Sequence, residues 1–168
     1  MMRILRYFLV FVAGVAVAIG GLILEGGALE NIFSIGEVPV VDFASLERAP
    51  TPNQYLLCPE GLCKTQTDGA APIFDTSAER LQALWELMIA EEPRVQEVGR
   101  DLAMMQVDYV QRSKLLRFPD LITVRFIPVD DTHATLAVYS RSIYGKGDIG
   151  VNRARVEDWL AKLKARVG

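Results

Sequence analysis

The chain has 168 residues, 51% of them hydrophobic, and a formal net charge of −3. This length suits one domain, with enough apolar residues for an ordinary hydrophobic core. Arg3 and Arg6 account for two of the 18 basic residues, so 16 basic and 21 acidic residues remain beyond them, a balance that argues against a nucleic-acid partner.

An uncharged, strongly apolar segment runs from Tyr7 to Leu24. A helix of this length would be about 27 Å long, close to the ~30 Å hydrocarbon core of a bilayer. Arginines precede the segment and glutamates follow it, so the positive-inside rule places the N-terminus in the cytoplasm and the rest in the periplasm. We predict a transmembrane signal anchor over residues 1–24, held in a bacterial inner membrane through residues 7–24 and crossing it once.

A cleaved signal peptide is the alternative interpretation of the same segment. Ala16-Val17-Ala18 fits the A-x-A pattern that precedes a cleavage site. Cleavage after Ala18 would leave the domain in the same compartment, and the sequence does not decide between the two. Residues 25–49 show no sustained periodicity and are predicted to be a linker to a domain over residues 50–168.

The two cysteines, Cys58 and Cys63, are separated by four residues that include Pro59 and Gly61. An even number of cysteines in an oxidising compartment favours a disulfide, and the intervening turn formers favour closure of the loop. A redox pair more often has two intervening residues, and a zinc site would need more ligands than a chain with one histidine offers. We expect a structural disulfide, no metal and no cofactor.

Two helices are predicted from apolar residues at helical spacing. Thr76 and Glu79 fit a capping box at the start of the first, which Pro93 ends. Asn152 is the expected N-cap of the second. The apolar stripes are Leu81, Leu84, Trp85, Met88 and Ile89 in the first helix, and Val156, Trp159, Leu160, Leu163 and Val167 in the second.

Between the helices, four short segments rich in Val, Ile, Tyr, Phe and Thr are separated by turn-forming residues. The breaks between them are predicted at residues 99–101, 118–120 and 130–132. The segments are residues 95–98, 102–111, 121–129 and 134–141. Together these patterns predict an α+β fold: an antiparallel β-meander of about four strands with two helices packed on one face, preceded by the transmembrane helix.

The segment 139–153 joins the last strand to the last helix and combines three glycines, two tyrosines and four ionisable groups. Its glycines permit positive φ, and free N–H groups at the helix start could receive an anion. In the alternative interpretation, Asp148 pairs internally with an arginine and the glycines only form the turn. The candidate binding residues are Arg112, Ser140, Arg141, Ser142, Tyr144, Asp148, Asn152 and Arg153.

Residues 140–145 and 148–156 closely resemble the C-terminal signature of domain-of-unknown-function family 1499. Residues 111–113 and 116–120 resemble its middle block, and Asn53 with the cysteine loop resembles its opening. The resemblance covers roughly residues 50–163. The family occurs in bacteria and plant plastids, commonly behind an export or membrane segment. The resemblance therefore implies domain boundaries and a compartment, and it implies no reaction.

The sequence contains no motif for nucleophilic, metal or phosphate chemistry, such as G-x-S-x-G, H-E-x-x-H or a P-loop. We expect a non-enzymatic binding or scaffold module that faces the periplasm, with an envelope protein or a small anionic ligand as its partner. One alternative is a hydrolase or isomerase that uses Asp148 with Tyr139 or Tyr144 as acid and base, assisted by Arg141. Another is an accessory subunit of a membrane complex.

Overall fold

The computed structural model describes residue 30 and residues 32–168, which form one sheet flanked by two helices. The predicted anchor lies outside these residues. Among the helices that are described, none has the length and apolar character needed to cross a membrane. In chain order the elements are β1 (Gln54–Cys58), β2 (Gly69–Ala70), α1 (Ala78–Ile89), β3 (Val95–Asp101), β4 (Gln106–Arg112), β5 (Pro119–Pro128), β6 (Ala134–Ser142) and α2 (Val151–Val167).

Strands β3 to β6 form the predicted antiparallel meander, and two further strands extend it to six in the order β2-β1-β6-β5-β4-β3. β1 runs antiparallel to β6 and parallel to β2. The sequence pattern did not predict β1, because all five of its residues are buried. Tyr55 and Leu57 enter the core on one face of the sheet, and Leu56 and Cys58 enter it on the other, so no apolar alternation marks the strand.

The predicted break at residues 99–101 is wrong. Those residues continue β3, and the pairing with β4 shifts register between Glu97 and Gly99. Gly99 thus belongs to a bulge inside the strand, a common position for glycine, and the chain turns at residues 102–105 instead.

Both helices pack on one face of the sheet, as predicted. The ring of Trp85 from α1 contacts Trp159 from α2 edge to face, with centroids 5.7 Å apart, and contacts Phe126 of β5 at 6.1 Å. Edge-to-face aromatic pairs add to the stabilisation from apolar burial. The predicted stripes are buried here, apart from Leu84 and Val167, which are half-buried.

The helix caps differ from those predicted. Ser77, rather than Thr76, caps α1, and its hydroxyl accepts the Arg80 N–H at 3.3 Å. Helix α2 has Gly150 as its N-cap, in the left-handed conformation with φ of 77°. Asn152 is instead a buried residue of the first helical turn. Glycine is favoured at this cap because it has no Cβ to clash there.

The second face of the sheet is covered by a segment from the predicted linker. Val41 and Phe43 are buried against a cluster that includes Leu56 and Tyr139. Gln106 fastens this segment by donating to the Val41 carbonyl at 3.0 Å. The ordered domain therefore includes residues before Pro50.

Cys58 and Cys63 form the predicted disulfide, with their Cα atoms 6.3 Å apart. The first cysteine ends β1 and is buried on the second face of the sheet, whereas the second lies in the following turn. The bridge therefore fixes the loop that leaves β1.

Candidate functional site

The predicted binding residues divide between the two faces of the sheet. Ser140 lies beneath α2, where its hydroxyl donates to Asn152 Oδ1 at 2.6 Å. The Arg141 guanidinium carbon lies 4.8 Å from the centroid of the Tyr139 ring, and Tyr139 belongs to the cluster on the second face. Since side chains alternate along a strand, the structure does not bring Arg141 to the serine and asparagine.

Asn152 is the centre of a buried polar network. Its side-chain amide donates to the Asn53 carbonyl at 3.0 Å, to Ser142 Oγ at 3.1 Å and to Asp148 Oδ2 at 2.7 Å. Its side-chain oxygen accepts from Ser140. The network thus joins the chain before β1, the end of β6 and the start of α2. Asn152 therefore stabilises the fold at this point.

Arg155 completes this network and was missed by the sequence analysis. Its guanidinium donates to Asp120 Oδ2 at 2.5 Å, to Ser140 Oγ at 2.9 Å and to Asn152 Oδ1 at 2.7 Å, and its Nε donates to Gln111 Oε1 at 2.5 Å. Arg155 and Asp120 are 7% and 14% exposed, so the ion pair is almost dry. Its position in the sequence could have indicated this role, because Arg155 directly precedes Val156 and follows Asn152 by three residues, which places it on the inner face of the helix.

Asp148 supplies the side-chain cap that the glycine at the start of α2 lacks. Its carboxylate accepts the N–H groups of Gly150 at 3.0 Å and Asn152 at 2.8 Å. Burial alone would raise the pKa of Asp148, but the hydrogen bonds from Asn152 and Gly150 outweigh it and hold that pKa below its ordinary value. The N–H groups that were expected to receive an anion therefore already bind a carboxylate.

The acid and base groups of the enzyme alternative lie apart. Tyr139 Oη donates to Gln54 Oε1 at 2.5 Å on the face opposite Asp148, and burial raises its pKa. The Tyr144 hydroxyl donates to the Ser34 carbonyl at 2.8 Å. Each tyrosine hydroxyl is therefore hydrogen-bonded to an amide or carbonyl oxygen and not to Asp148, so the proposed acid and base are not paired.

Arg141 is the least satisfied charged group of the predicted site. Its Nη1 donates to Thr123 Oγ1 at 3.3 Å, and its buried Nη2 has no hydrogen-bond partner among the residues that the structure describes. Burial lowers the pKa of Arg141, and Tyr139 and Asp108 nearby act in the opposite direction. A cleft beside it, of about 380 Å³, also has Asp42 and Glu47 in its wall, so the site is not selective for anions.

A groove opens at the strand ends between the β4–β5 loop, residues 113–118, and the β6–α2 loop, residues 143–150. It has a volume of about 330 Å³, and we call it the strand-end groove. Its wall comprises Ser113, Phe118, Asp120, Ser142, Tyr144, Gly145, Gly147, Asp148 and Val151.

Five of the eight predicted residues lie outside this groove. They are Ser140, Arg141 and Asn152, described above, together with Arg112 and Arg153. Arg153 borders a neighbouring cleft of about 430 Å³ on the other side of the β6–α2 loop and pairs with Glu157 at 2.8 Å. Arg112 donates to the carbonyls of Phe33 and Arg117 at 2.9 and 3.0 Å. The structure therefore gathers Ser142, Tyr144 and Asp148 at the groove and places all three predicted arginines in other contacts.

Residues 49–163 match the model of the family described as "Protein of unknown function (DUF1499)". The chain belongs to this family. The match confirms the resemblance and its extent. No match was found among curated proteins. A solved structure, "Crystal structure of conserved protein from Geobacillus kaustophilus", has 10% identity and a TM-score of 0.34 over 58% of this chain and 91% of its own.

In this DUF1499 protein, the chain enters the domain at the groove. We define the entry segment as residue 30 with residues 32–34. The Phe33 ring lies 4.4 Å from the Phe118 ring and 5.5 Å from the Tyr144 ring, measured between centroids, and Glu30 forms an ion pair with Arg117. The hydrogen bond from Arg117 lowers the pKa of Glu30 and so favours this pair. The entry segment therefore contacts both loops of the groove.

Proposed function

We propose that this DUF1499 protein is a non-enzymatic, membrane-anchored binding module of the bacterial cell envelope, with its domain in the periplasm and the strand-end groove as its recognition surface. The observation that carries the proposal is the wall of the groove. Phe118 and Tyr144 give it aromatic surface. The Ser113 hydroxyl accepts the Phe118 N–H at 2.9 Å and can still donate to a ligand, whereas the carboxylates of the wall already bind groups of the protein. A concave, mixed apolar and hydroxyl surface is typical of a binding site.

The state of the ionisable groups supports binding over catalysis. A general acid or base works best when its pKa lies near the operating pH. Hydrogen bonds hold the pKa of Asp148 below its ordinary value, and burial moves the pKa of Tyr139 upwards, further from neutrality. The two groups also lie on opposite faces of the sheet. This arrangement favours the binding module over the hydrolase or isomerase alternative.

The compartment is supported by two independent features of the chain. The apolar run over residues 7–24, with arginines before it and glutamates after it, favours a single crossing with the domain outside the cytoplasm. The disulfide between Cys58 and Cys63 is of the kind that persists in oxidising compartments. The accessory-subunit alternative would place the domain in the same compartment.

The ligand that best fits the groove is a small amphiphilic molecule. The aromatic rings offer apolar contact. The hydroxyl oxygens of Ser113 and Ser142 accept from the Phe118 N–H and the Asn152 amide, and each hydroxyl can still donate to a ligand. The charge of Asp120 is balanced by Arg155, but the Asp148 carboxylate in the same wall has no ion-pair partner among the described residues and would repel an anion. The small anionic ligand expected from the sequence therefore has less support than a neutral or amphiphilic one.

Gly147 offers a way to fill the groove without strain. A Cβ added at Gly147 meets no atom of residue 30 or residues 32–168 within 4 Å. We expect Gly147→Leu to fold normally and to occupy space in the wall of the groove. Ala83→Leu, which adds the same side chain to an exposed position of α1, is the matched control.

The experiment is extraction of the full chain from its native membrane in mild detergent, followed by mass spectrometry of the retained small molecules. Wild type and Ala83→Leu should retain the same molecule, and Gly147→Leu should lose it at unchanged folding stability. Equal retention in all three proteins, or no retained molecule, would contradict the proposal. A stoichiometric protein that binds wild type and Gly147→Leu equally would favour the accessory-subunit alternative.

A further inference from the structure

Large apolar side chains project into solvent from both loops of the strand-end groove. Leu115 and Leu116 of the β4–β5 loop are 67% and 48% exposed, and Ile149 of the β6–α2 loop is fully exposed. These loops lie side by side, since the strands that they adjoin pair from Asp120 with Ser142 onwards. The exposed residues therefore belong to one end of the domain. Clustered exposed apolar residues, unlike single ones, mark an interaction surface.

Ile149 is the most unusual residue of this surface. Its φ of 53° is in the left-handed region, which is unfavourable for a β-branched residue. Its side chain gains no burial within the domain in return. A residue that is disfavoured by its backbone and unsupported by packing is best explained by a contact outside the domain.

Each loop also carries an exposed lysine close to its apolar residues. Lys114 directly precedes Leu115, and Lys146 lies three residues before Ile149. Neither lysine forms an ion pair within residues 32–168 or with residue 30. Lysines beside exposed aliphatic side chains are typical of protein surfaces that dock on membranes, where the ammonium group reaches lipid phosphates and the apolar residues enter the acyl boundary.

The length of chain before the domain places this end close to the predicted bilayer. Only six residue steps separate Leu24, the end of the apolar run, from Glu30. Even a fully extended chain would span about 20 Å over that distance. Glu30 is ion-paired with Arg117, and Arg117 follows Leu116 in the β4–β5 loop. An anchor over residues 7–24 would therefore hold this loop near the membrane surface.

We infer that the β4–β5 and β6–α2 loops dock into the bilayer that carries the anchor. Leu115, Leu116 and Ile149 enter the boundary between headgroups and acyl chains, and Lys114 and Lys146 bind lipid phosphates. This inference rests on the proposed membrane anchor. It also deepens the proposed function. In a docked domain the strand-end groove faces the lipid headgroups, so the amphiphilic ligand that it can reach is a membrane lipid.

The test is fluorescence quenching of the full chain reconstituted into vesicles of phosphatidylcholine and phosphatidylglycerol, with and without bromine on the acyl chains. Leu116→Trp and Ile149→Trp each place a reporter in one loop. Leu102→Trp is the matched control, since Leu102 is 79% exposed in the turn at the other end of β4. The native Trp85 and Trp159 are buried in the core, so the wild-type protein gives the background.

Bromolipids should reduce the fluorescence of the Leu116→Trp and Ile149→Trp proteins and leave that of Leu102→Trp at the wild-type level. Equal quenching of all three proteins, or none in the two loop variants, overturns the docking. Extraction of the same vesicles with alkaline carbonate tests the membrane anchor separately from the docking of the loops. If the chain resists extraction but its loop variants are not quenched, only the docking is contradicted. If the chain is released, the anchor is contradicted, and the docking with it.

Discussion

Arg141 and Arg155 are both largely buried, yet among the residues that the structure describes only Arg155 has a carboxylate hydrogen-bonded to its guanidinium. Arg155 Nη2 lies 2.5 Å from Asp120 Oδ2, and its other nitrogens bind Ser140, Asn152 and Gln111. Arg141 makes one hydrogen bond, to Thr123, and stacks on a tyrosine ring. The two arginines therefore contribute differently to stability, although both belong to the strand-end region of the chain.

Arg155→Met should destabilise the domain by about 3–5 kcal/mol, because it leaves the nearly dry Asp120 carboxylate without its partner. The free energy of unfolding in urea, followed by tryptophan fluorescence of the full chain in mild detergent, measures the effect. Trp85 and Trp159 lie in the core and report its loss.

Arg141→Met is the matched control for this change. It replaces a buried charge that lacks a hydrogen-bonded carboxylate with an apolar side chain of similar length, so no partner charge is left buried and unpaired. We expect an unfolding free energy within about 1 kcal/mol of wild type. A loss as large as that of Arg155→Met would mean that Arg141 has a counterion in solution.

The contrast between β1 and the meander shows what the sequence could predict. In β5 the apolar residues Ile122, Val124 and Phe126 alternate with Thr123 and Arg125, and the helical stripes around Trp85 and Trp159 report one-sided burial, so those elements were predictable. β1 is buried on both faces and leaves no such pattern. The pairing of Arg155 with Asp120 depends on strand register and helix docking between residues 35 positions apart, which local sequence does not encode. The opposite directions of Ser140 and Arg141, in contrast, follow from strand alternation alone.

Removal of the disulfide by Cys58→Ala with Cys63→Ala should weaken the domain without unfolding it. The bridge closes a loop between residues only five positions apart, so its loss costs about 2 kcal/mol by the chain-entropy model. Urea unfolding of the variant and wild type under non-reducing conditions measures the difference. A protein that cannot fold without the bridge would show that Cys58 and Cys63 hold more than one loop.

Asp148→Asn should remove part of the pH dependence of stability. Because the pKa of Asp148 is depressed in the folded domain, its ionised form stabilises the fold at pH values above its ordinary pKa of 3.8, and this stabilisation is lost as the pH falls through the lower folded pKa. We expect wild type to exceed the variant by about 1 kcal/mol at neutral pH, the size of a helix cap.

The measurement for Asp148 is the difference in unfolding free energy between wild type and Asp148→Asn from pH 7 down to acid. The difference should shrink as the pH falls below 3.8. A difference that stays constant with pH would mean that the cap acts through its shape rather than through its charge. Asp131→Asn, at an exposed turn position, is the control for general charge effects.

Ile149→Gly should separate folding from membrane docking. Glycine adopts the observed φ of 53° without the steric cost that isoleucine bears, so the free energy of unfolding in detergent should rise by about 1 kcal/mol. The same change removes an apolar side chain from the proposed docking surface, so bromolipid quenching of a Leu116→Trp reporter should fall. Leu102→Gly, at the other end of β4, should leave that quenching unchanged. A lower stability of Ile149→Gly would instead show that Ile149 supports the fold, and its full exposure would then need a different explanation.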